Sequence, residues 1–252
     1  MPGNALGAFL RARREALGPA AAGLPTGPRR RTPGLRRGEL ASLAGISVEY
    51  LIRLERGRDR RPSPQVLAAL ADALQLSDDE RVHLHRLVKA GDGGPCPQSH
   101  STPRAVRPTV LALLDQLEPA PAFVIDQIGD VLACTEGFRK LADPVGLLDA
   151  DNIPRYVFTD PRARHAFPEW EHVADEWAVR LRAAADLGDP RAADLAAELA
   201  LIAGFEFGAR YAASTRLPAW TGTEWWGELR LAFEALGMPG TDEHRLVVLV
   251  QA

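Results

Sequence analysis

Lysine is nearly absent from this chain of 252 residues: Lys89 and Lys140 stand against 28 arginines. A bias that strong reads as the codon usage of a GC-rich genome more than as selection for phosphate contacts. Cysteine is equally scarce. Cys96 and Cys134 cannot form a disulfide framework, which points to a reducing cytoplasm. No apolar run approaches the roughly 18 residues a membrane-spanning helix needs, so no membrane partner is expected. The opening Met1-Pro2-Gly3-Asn4 meets Arg11, Arg13 and Arg14 where a secretory signal would need an apolar run. Catalytic and metal-binding motifs are missing too: there is no HExxH, no paired cysteine ligands, no GxSxG and no Walker sequence. Cys134 has no evident histidine partner, and His165 and His172 fall on different segments. Asp160, Glu169 and Glu171 stand at helix starts, where carboxylates cap. The expectation is a protein that is not an enzyme and holds neither cofactor nor metal.

What is there is an ordinary globular composition, 46% hydrophobic and 25% charged, with 22 glycines and 20 prolines scattered through it. The length suits one large domain or two modest ones. The formal net charge of −3 hides an asymmetry: residues 1–90 carry +7 and residues 91–252 carry −10. A basic segment joined to an acidic one suggests that one end meets a polyanion and the other does not. Between them, Gly91 to Pro103 is rich in Gly, Pro and Ser without apolar period. We therefore expect a first domain at 1–92, a linker at 93–104 and a second domain at 105–252. A second breaker-rich stretch, Pro19 to Pro33, holds the basic triplet Arg29-Arg30-Arg31.

The first domain reads as a bundle of short helices. Leu6, Phe9, Leu10 and Leu17 share one face, with Arg11, Arg13 and Arg14 outside it. Arg36 to Leu43 is a second helix with Leu40 and Leu43 inward. Gly45 supplies a left-handed turn, and Ser47 caps a third helix, Val48 to Arg56, with Leu51 and Leu54 inward. Ser63-Pro64 starts a fourth helix through Leu74, and Ser77 with Glu80 forms a capping box for a fifth. The segment from Glu39 to Gly57, with Ala44, Gly45, Ile46 and Leu51 in register, resembles the helix-turn-helix of XRE-family (phage-repressor-like) regulators.

That resemblance implies double-stranded DNA as partner, with the third helix in the major groove. Val48, Glu49 and Arg53 would then reach base edges, Arg53 suiting guanine and Glu49 cytosine. Arg36 and Arg37 would meet a phosphate at the start of the second helix. Ser47, Tyr50, Arg56 and Arg58, with Arg60 and Arg61, would flank the groove. Glu55 reads as a structural residue pairing inside the motif.

In the second domain, Val110 to Leu117 forms a short helix, and Ala122-Phe123-Val124-Ile125 with Val131-Leu132-Ala133-Cys134 forms a hairpin. Helical segments follow through Ala203, among them Trp170 to Ala185 with Trp170, Val173, Trp177 and Leu181 inward. Trp225 to Phe233 and Arg245 to Gln251 read as strands. The expected fold is therefore all-α followed by α+β, the second domain a sheet with helices on one face and PAS-like in order. Trp170, Trp177, Phe205, Phe207, Tyr211, Trp220, Trp225 and Trp226 exceed what a small core needs, so some should line a cavity.

The match can be narrowed. Leu6 to Arg14, Arg30 to Arg37, Pro119-Ala120-Pro121-Ala122, Asn152 to Phe158, Asp160 to Arg164 and the closing Leu246-Val247-Val248 together resemble actinobacterial MmyB-like regulators over almost the whole chain. The resemblance implies a PAS-like domain holding a small apolar, fatty-acid-like ligand. A homodimer, with the second domain supplying most of the contact, is a separate expectation, because the short helices of the first domain need their apolar faces for their own core. Candidate ligand residues are Phe123, Phe158, Trp170, Trp177, Phe207, Tyr211 and Trp225, with Arg155 or Arg164 facing an acidic head group. Three departures fall where the family's pocket is expected: Cys134-Thr135, Thr223-Glu224, and Gly204-Phe205-Glu206-Phe207 with Tyr211. Glu224 adds an acceptor suited to a cationic or neutral polar ligand. A DNA-tethered enzyme and an interaction scaffold without ligand are the alternatives.

Overall fold

The computed structural model describes residues 5–25, 32–91, 105–213, 217–238 and 244–252, without the side chains of Asp78, Ala90 and Trp225. The expected linker and Arg29-Arg30-Arg31 lie outside the described residues. Two compact units are present and are taken separately.

The described part of the first unit holds α1 (Ala5–Ala16), α2 (Arg37–Leu43), α3 (Val48–Glu55), α4 (Pro64–Ala73) and α5 (Asp78–Gly91). Local chemistry starts each helix. Ser47 Oγ accepts the Tyr50 N–H at 3.1 Å, and Ser63 Oγ accepts the Val66 N–H at 3.3 Å with Pro64 behind it. Ser77 and Glu80 exchange hydrogen bonds of 2.9 and 3.4 Å, a reciprocal cap. Gly45, at φ +64°, reverses the chain between α2 and α3, a conformation a Cβ disfavours. Leu10, Leu40, Leu51, Leu54 and Leu70 are fully buried at the centre.

Two expectations need correction. Leu43 is 41% exposed, because the buried arc of α2 runs through Leu40, Ala41 and Ala44, and Leu43 lies roughly 100° from its middle. Arg13 and Arg14, expected outside, are buried. Each meets a buried acid from a distant helix: Arg13 Nε lies 3.4 Å from Glu80 and Arg14 Nε 2.6 Å from Glu55. Burial of a guanidinium is tolerable only with such a counter-charge.

The second unit is α+β. It runs α6 (Pro108–Leu117), β1 (Ala122–Ile125), β2 (Val131–Cys134), α7 (Glu136–Ala142), α8 (Ile153–Thr159), α9 (Ala163–Ala166), α10 (Trp170–Asp186), α11 (Pro190–Ile202), α12 (Phe205–Ala213), β3 (Thr221–Trp226), β4 (Leu229–Gly237) and β5 (Arg245–Gln251). The sheet is antiparallel with strand order β2-β1-β5-β4-β3. The closing apolar run thus becomes an inner strand, with Phe123 opposite Val247 and Phe233 opposite Leu249.

Strand alternation divides the sheet. Phe123, Ile125, Leu231, Val247 and Leu249 join the large core built with the helices that follow β2. Ala122, Val124 and Leu246 face the other way and pack with Val110 and Leu114 of α6. Helices therefore cover both faces, not one: the apolar stripe of α6 needs burial, and the small face of β1 and β5 supplies it. Trp225 to Phe233 is not a single strand either. Gly227, at φ +57°, turns it into the β3–β4 hairpin, with Trp226 paired to Leu229.

Candidate nucleic-acid interface and ligand cavity

On α3, Leu51 and Leu54 bury the inner face, and Val48 and Tyr50 lean against the same core. Glu49, Arg53 and Arg56 project from the exposed side, and Arg36, Arg37 and Arg58 are exposed around it. Ser47 is spent on the cap. Arg53 lies over the Tyr50 ring at 5.2 Å and 3.9 Å from Asp59. Burial, then Asp59, raises the Tyr50 phenol above its usual range, so its hydroxyl stays protonated.

Glu55 is fully buried at the end of α3. One carboxylate oxygen accepts from Arg14 Nε and the other from Arg37 Nε, each at 2.6 Å. Helix α3 is thereby tied to α1 and to the first turn of α2. Arg37 has two tasks in this arrangement: its Nε holds Glu55, while the rest of its half-exposed guanidinium faces outward. The face offers cations in a fixed frame with two acids, Glu49 and Asp59, among them. That arrangement suits a phosphate backbone plus a base edge.

The second unit contains a cavity of about 60 Å³ between the sheet and α10. Phe123, Val247 and Leu249 form its sheet wall, and Phe167, Val173 and Trp177 its helical wall. Trp220, Trp226 and Phe233 close a further side. The polar edge consists of Glu176, Arg180 and Glu224. Arg180 stacks on Trp220 at 3.6 Å from the ring centroid, donates to Ala219 O at 2.8 Å and lies 3.7 Å from Glu176. The Trp226 indole donates to Glu224 at 3.2 Å. Burial and the neighbouring Glu176 push the Glu224 carboxyl above the ordinary carboxylate range.

Of the ligand residues read from sequence, Phe123 and Trp177 line this cavity. The side chain of Trp225 lies outside the described residues. Phe158, Trp170, Phe207 and Tyr211 form a different aromatic cluster: Phe158 meets Phe207 edge-on at 4.9 Å, and Phe207 packs on Tyr211 at 5.3 Å. Arg155 and Arg164 are not at the cavity. Arg155 makes a bidentate bond of 2.8 Å per arm with Glu198, and Arg164 pairs with Glu206 over the face of Trp170. Of the three departures, Glu224 alone reaches the cavity wall. Thr135 is a buried structural cap, accepting from Phe138 N and Ala122 N at 3.1 and 2.9 Å. Burial raises the Cys134 thiol, leaving it protonated and packed against the core.

Glu176 and Arg180 escaped the sequence reading. A signal existed: Val173, Glu176, Trp177 and Arg180 follow the i, i+3, i+4, i+7 stripe of one helix face. The charged members of such a stripe are easily set aside as solvent-facing. Among the described residues no group of three His, Cys, Asp or Glu is placed to hold a metal ion, and no helix is long and apolar enough to cross a membrane.

Residues 106–252 match the family model of the MmyB-like transcription regulator ligand binding domain, and residues 5–84 match a helix-turn-helix domain model. No curated protein matches the chain.

Proposed function

From its membership of the MmyB-like transcription regulators, we propose that this chain binds a specific operator through α3 and responds to a small, largely apolar molecule held in the cavity of its second domain. It is a regulator with a DNA-binding helix-turn-helix domain and a ligand-binding domain. Our reading assigns residues 1–92 to DNA, 93–104 to a linker and 105–252 to the ligand, and the whole to the cytoplasm as a homodimer and not an enzyme. The observation that carries the DNA assignment is the buried Glu55, which fixes α3 while leaving Glu49, Arg53 and Arg56 outward. Two copies would meet half-sites about one DNA turn apart.

The test is selection of an operator from random duplexes by the full chain, followed by variants. Arg53→Ala should lower specific affinity by about 1–3 kcal/mol and relax preference at one base pair. Arg36→Ala should weaken all sequences alike and reduce the salt slope by about one. If both variants bind operator and random DNA as the parent does, α3 is not the reading helix.

A further inference from the structure

We propose that the cavity of the second domain selects a small organic ammonium, a primary or secondary amine on a compact apolar body, over a carboxylic acid of the same shape. The inference rests on reading this cavity as the ligand site. It starts from the polar edge, which holds two carboxyl groups, Glu176 and Glu224, and one guanidinium, Arg180.

Arg180 is the group an acidic ligand would need, and it is already engaged. One nitrogen donates to Ala219 O at 2.8 Å and faces Glu176 at 3.7 Å, and the guanidinium plane sits 3.6 Å from the Trp220 centroid. An incoming carboxylate would have to displace Glu176 from Arg180 and then lie beside two acids. Like charges at that range in a poorly hydrated site repel strongly.

Glu224 is in the opposite position. Its hydrogen bond comes from a neutral donor, the Trp226 indole, at 3.2 Å. The exposed His172 lies 3.4 Å from Glu176. Among the described residues Glu224 is therefore the carboxyl at this edge without an ion pair of its own. A guest cation beside it offsets the burial and the Glu176 charge that favour its neutral form. An ammonium N–H donated to Glu224 would be a charge-assisted bond in a shielded place. The walls add to this. Trp220 already carries Arg180 and, at 4.1 Å, Arg245, and Arg180 lies 5.9 Å from the Trp177 centroid, but Trp226 also lines the space and an indole face attracts cations. Size sets the rest: about 60 Å³ is well below the ~150 Å³ that holds a benzene ring. The enclosed part therefore takes the ammonium end and first carbons of a guest, the open side takes the rest of a short branched body, and a long acyl chain is not enclosed.

Isopentylamine, isopentyl alcohol and isovalerate share one branched body and differ in charge. Titrated into the full chain at neutral pH, with tryptophan fluorescence as readout, the amine should bind about ten- to a hundredfold tighter than the alcohol, the span of a hydrogen bond to a charged group. Isovalerate should bind more weakly still. Glu224→Gln keeps the shape and the bond from Trp226. It should remove the advantage of the amine and leave the alcohol unchanged, which also verifies that the variant is folded. Isovalerate binding as tightly as the amine would overturn the proposal, as would an advantage that survives in Glu224→Gln. Equal binding of all three leaves the cavity as the ligand site and refutes the charge preference. Binding of none refutes both. Should the variant fail to fold, the order of the three probes on the parent chain still decides.

Discussion

Replacing Glu55 by alanine should cost more stability than any surface change in the DNA-binding unit. Glu55 is fully buried and bridges Arg14 and Arg37 at 2.6 Å each. Arg14 is itself 6% exposed. Without Glu55 its charge would remain inside, with Leu35 O at 2.9 Å and the exposed Glu15 at 3.1 Å as consolation. Breaking one side of a buried ion pair costs about 3–5 kcal/mol. The two residual bonds place this case near the lower end, at about 3 kcal/mol. That is a large share of the roughly 5–15 kcal/mol that holds a whole domain. Glu55→Ala, Arg14→Leu double variants should recover much of the loss, since the orphaned charge leaves with its partner. The assay exploits an accident of composition. All five tryptophans lie at positions 170–226, so fluorescence reports on the second unit while far-ultraviolet circular dichroism reports on both. In urea, the dichroism transition of the first unit should move to lower denaturant and the fluorescence transition should stay. Specific operator affinity should fall as well, because α3 loses its tie to α1 and α2. If Glu55→Ala unfolds within about 0.5 kcal/mol of the parent, the ordinary range for a surface change, the buried-pair argument is wrong.

The remaining predictions are more local. His83 is buried edge-on against Phe9 at 5.2 Å, and burial, assisted by Arg86, lowers its pKa to about 4. The folded chain resists a proton that the unfolded chain accepts near pH 6.5, so His83 favours folding above that pH, and the contribution is lost as pH falls toward about 4. The full loss is roughly 3 kcal/mol for a shift of this size, and His83→Leu should remove that part of the acid sensitivity in urea titrations; an unchanged pH profile would refute it. Gly129, at φ +90°, leaves no room for a side chain, since a Cβ would lie 2.3 Å from the Pro154 ring and 3.1 Å from Trp177. Gly129→Ala should destabilise the second unit by about 2–4 kcal/mol, read as an earlier fluorescence transition. Arg155→Ala and Arg164→Ala remove partly exposed pairs worth about 0–1 kcal/mol each and should leave affinity for the three isopentyl probes unchanged. Lost binding in either variant would return that arginine to the site.

Much of this protein was legible from sequence where the information is local. Ser47, Ser63 and Ser77 announce helices because a hydroxyl satisfies amides two or three residues ahead. Gly45 announces the turn because its φ excludes most side chains. The helix-turn-helix register followed from these and from Leu51 and Leu54, whose burial depends on spacing within one short segment. The structural role expected for Glu55 was also legible, but its partners were not. Arg14 and Arg37 come from other helices, and periodicity on α1 alone sends Arg13 and Arg14 to solvent.

The second unit marks the same division more sharply. Composition and order were enough for an α+β domain that closes on a strand; the central place of that strand in the sheet was not legible there. Which aromatics share a space was a tertiary decision, because strands joined in the order β2-β1-β5-β4-β3 bring Phe123, Trp226 and Leu249 together from positions far apart in the chain. Trp170 and Trp177 lie on one helix, yet packing sends the first toward Phe158 and the second into the cavity. Arg155 and Arg164 looked free to hold a ligand until the fold brought Glu198 and Glu206 against them. A charge has no role until its neighbours are known, since its energy depends on groups within a few ångströms and not on its place in the chain. Sequence alone determined the helix-turn-helix and the class of the second domain; the fold decided which charges are spent on structure and which line the cavity.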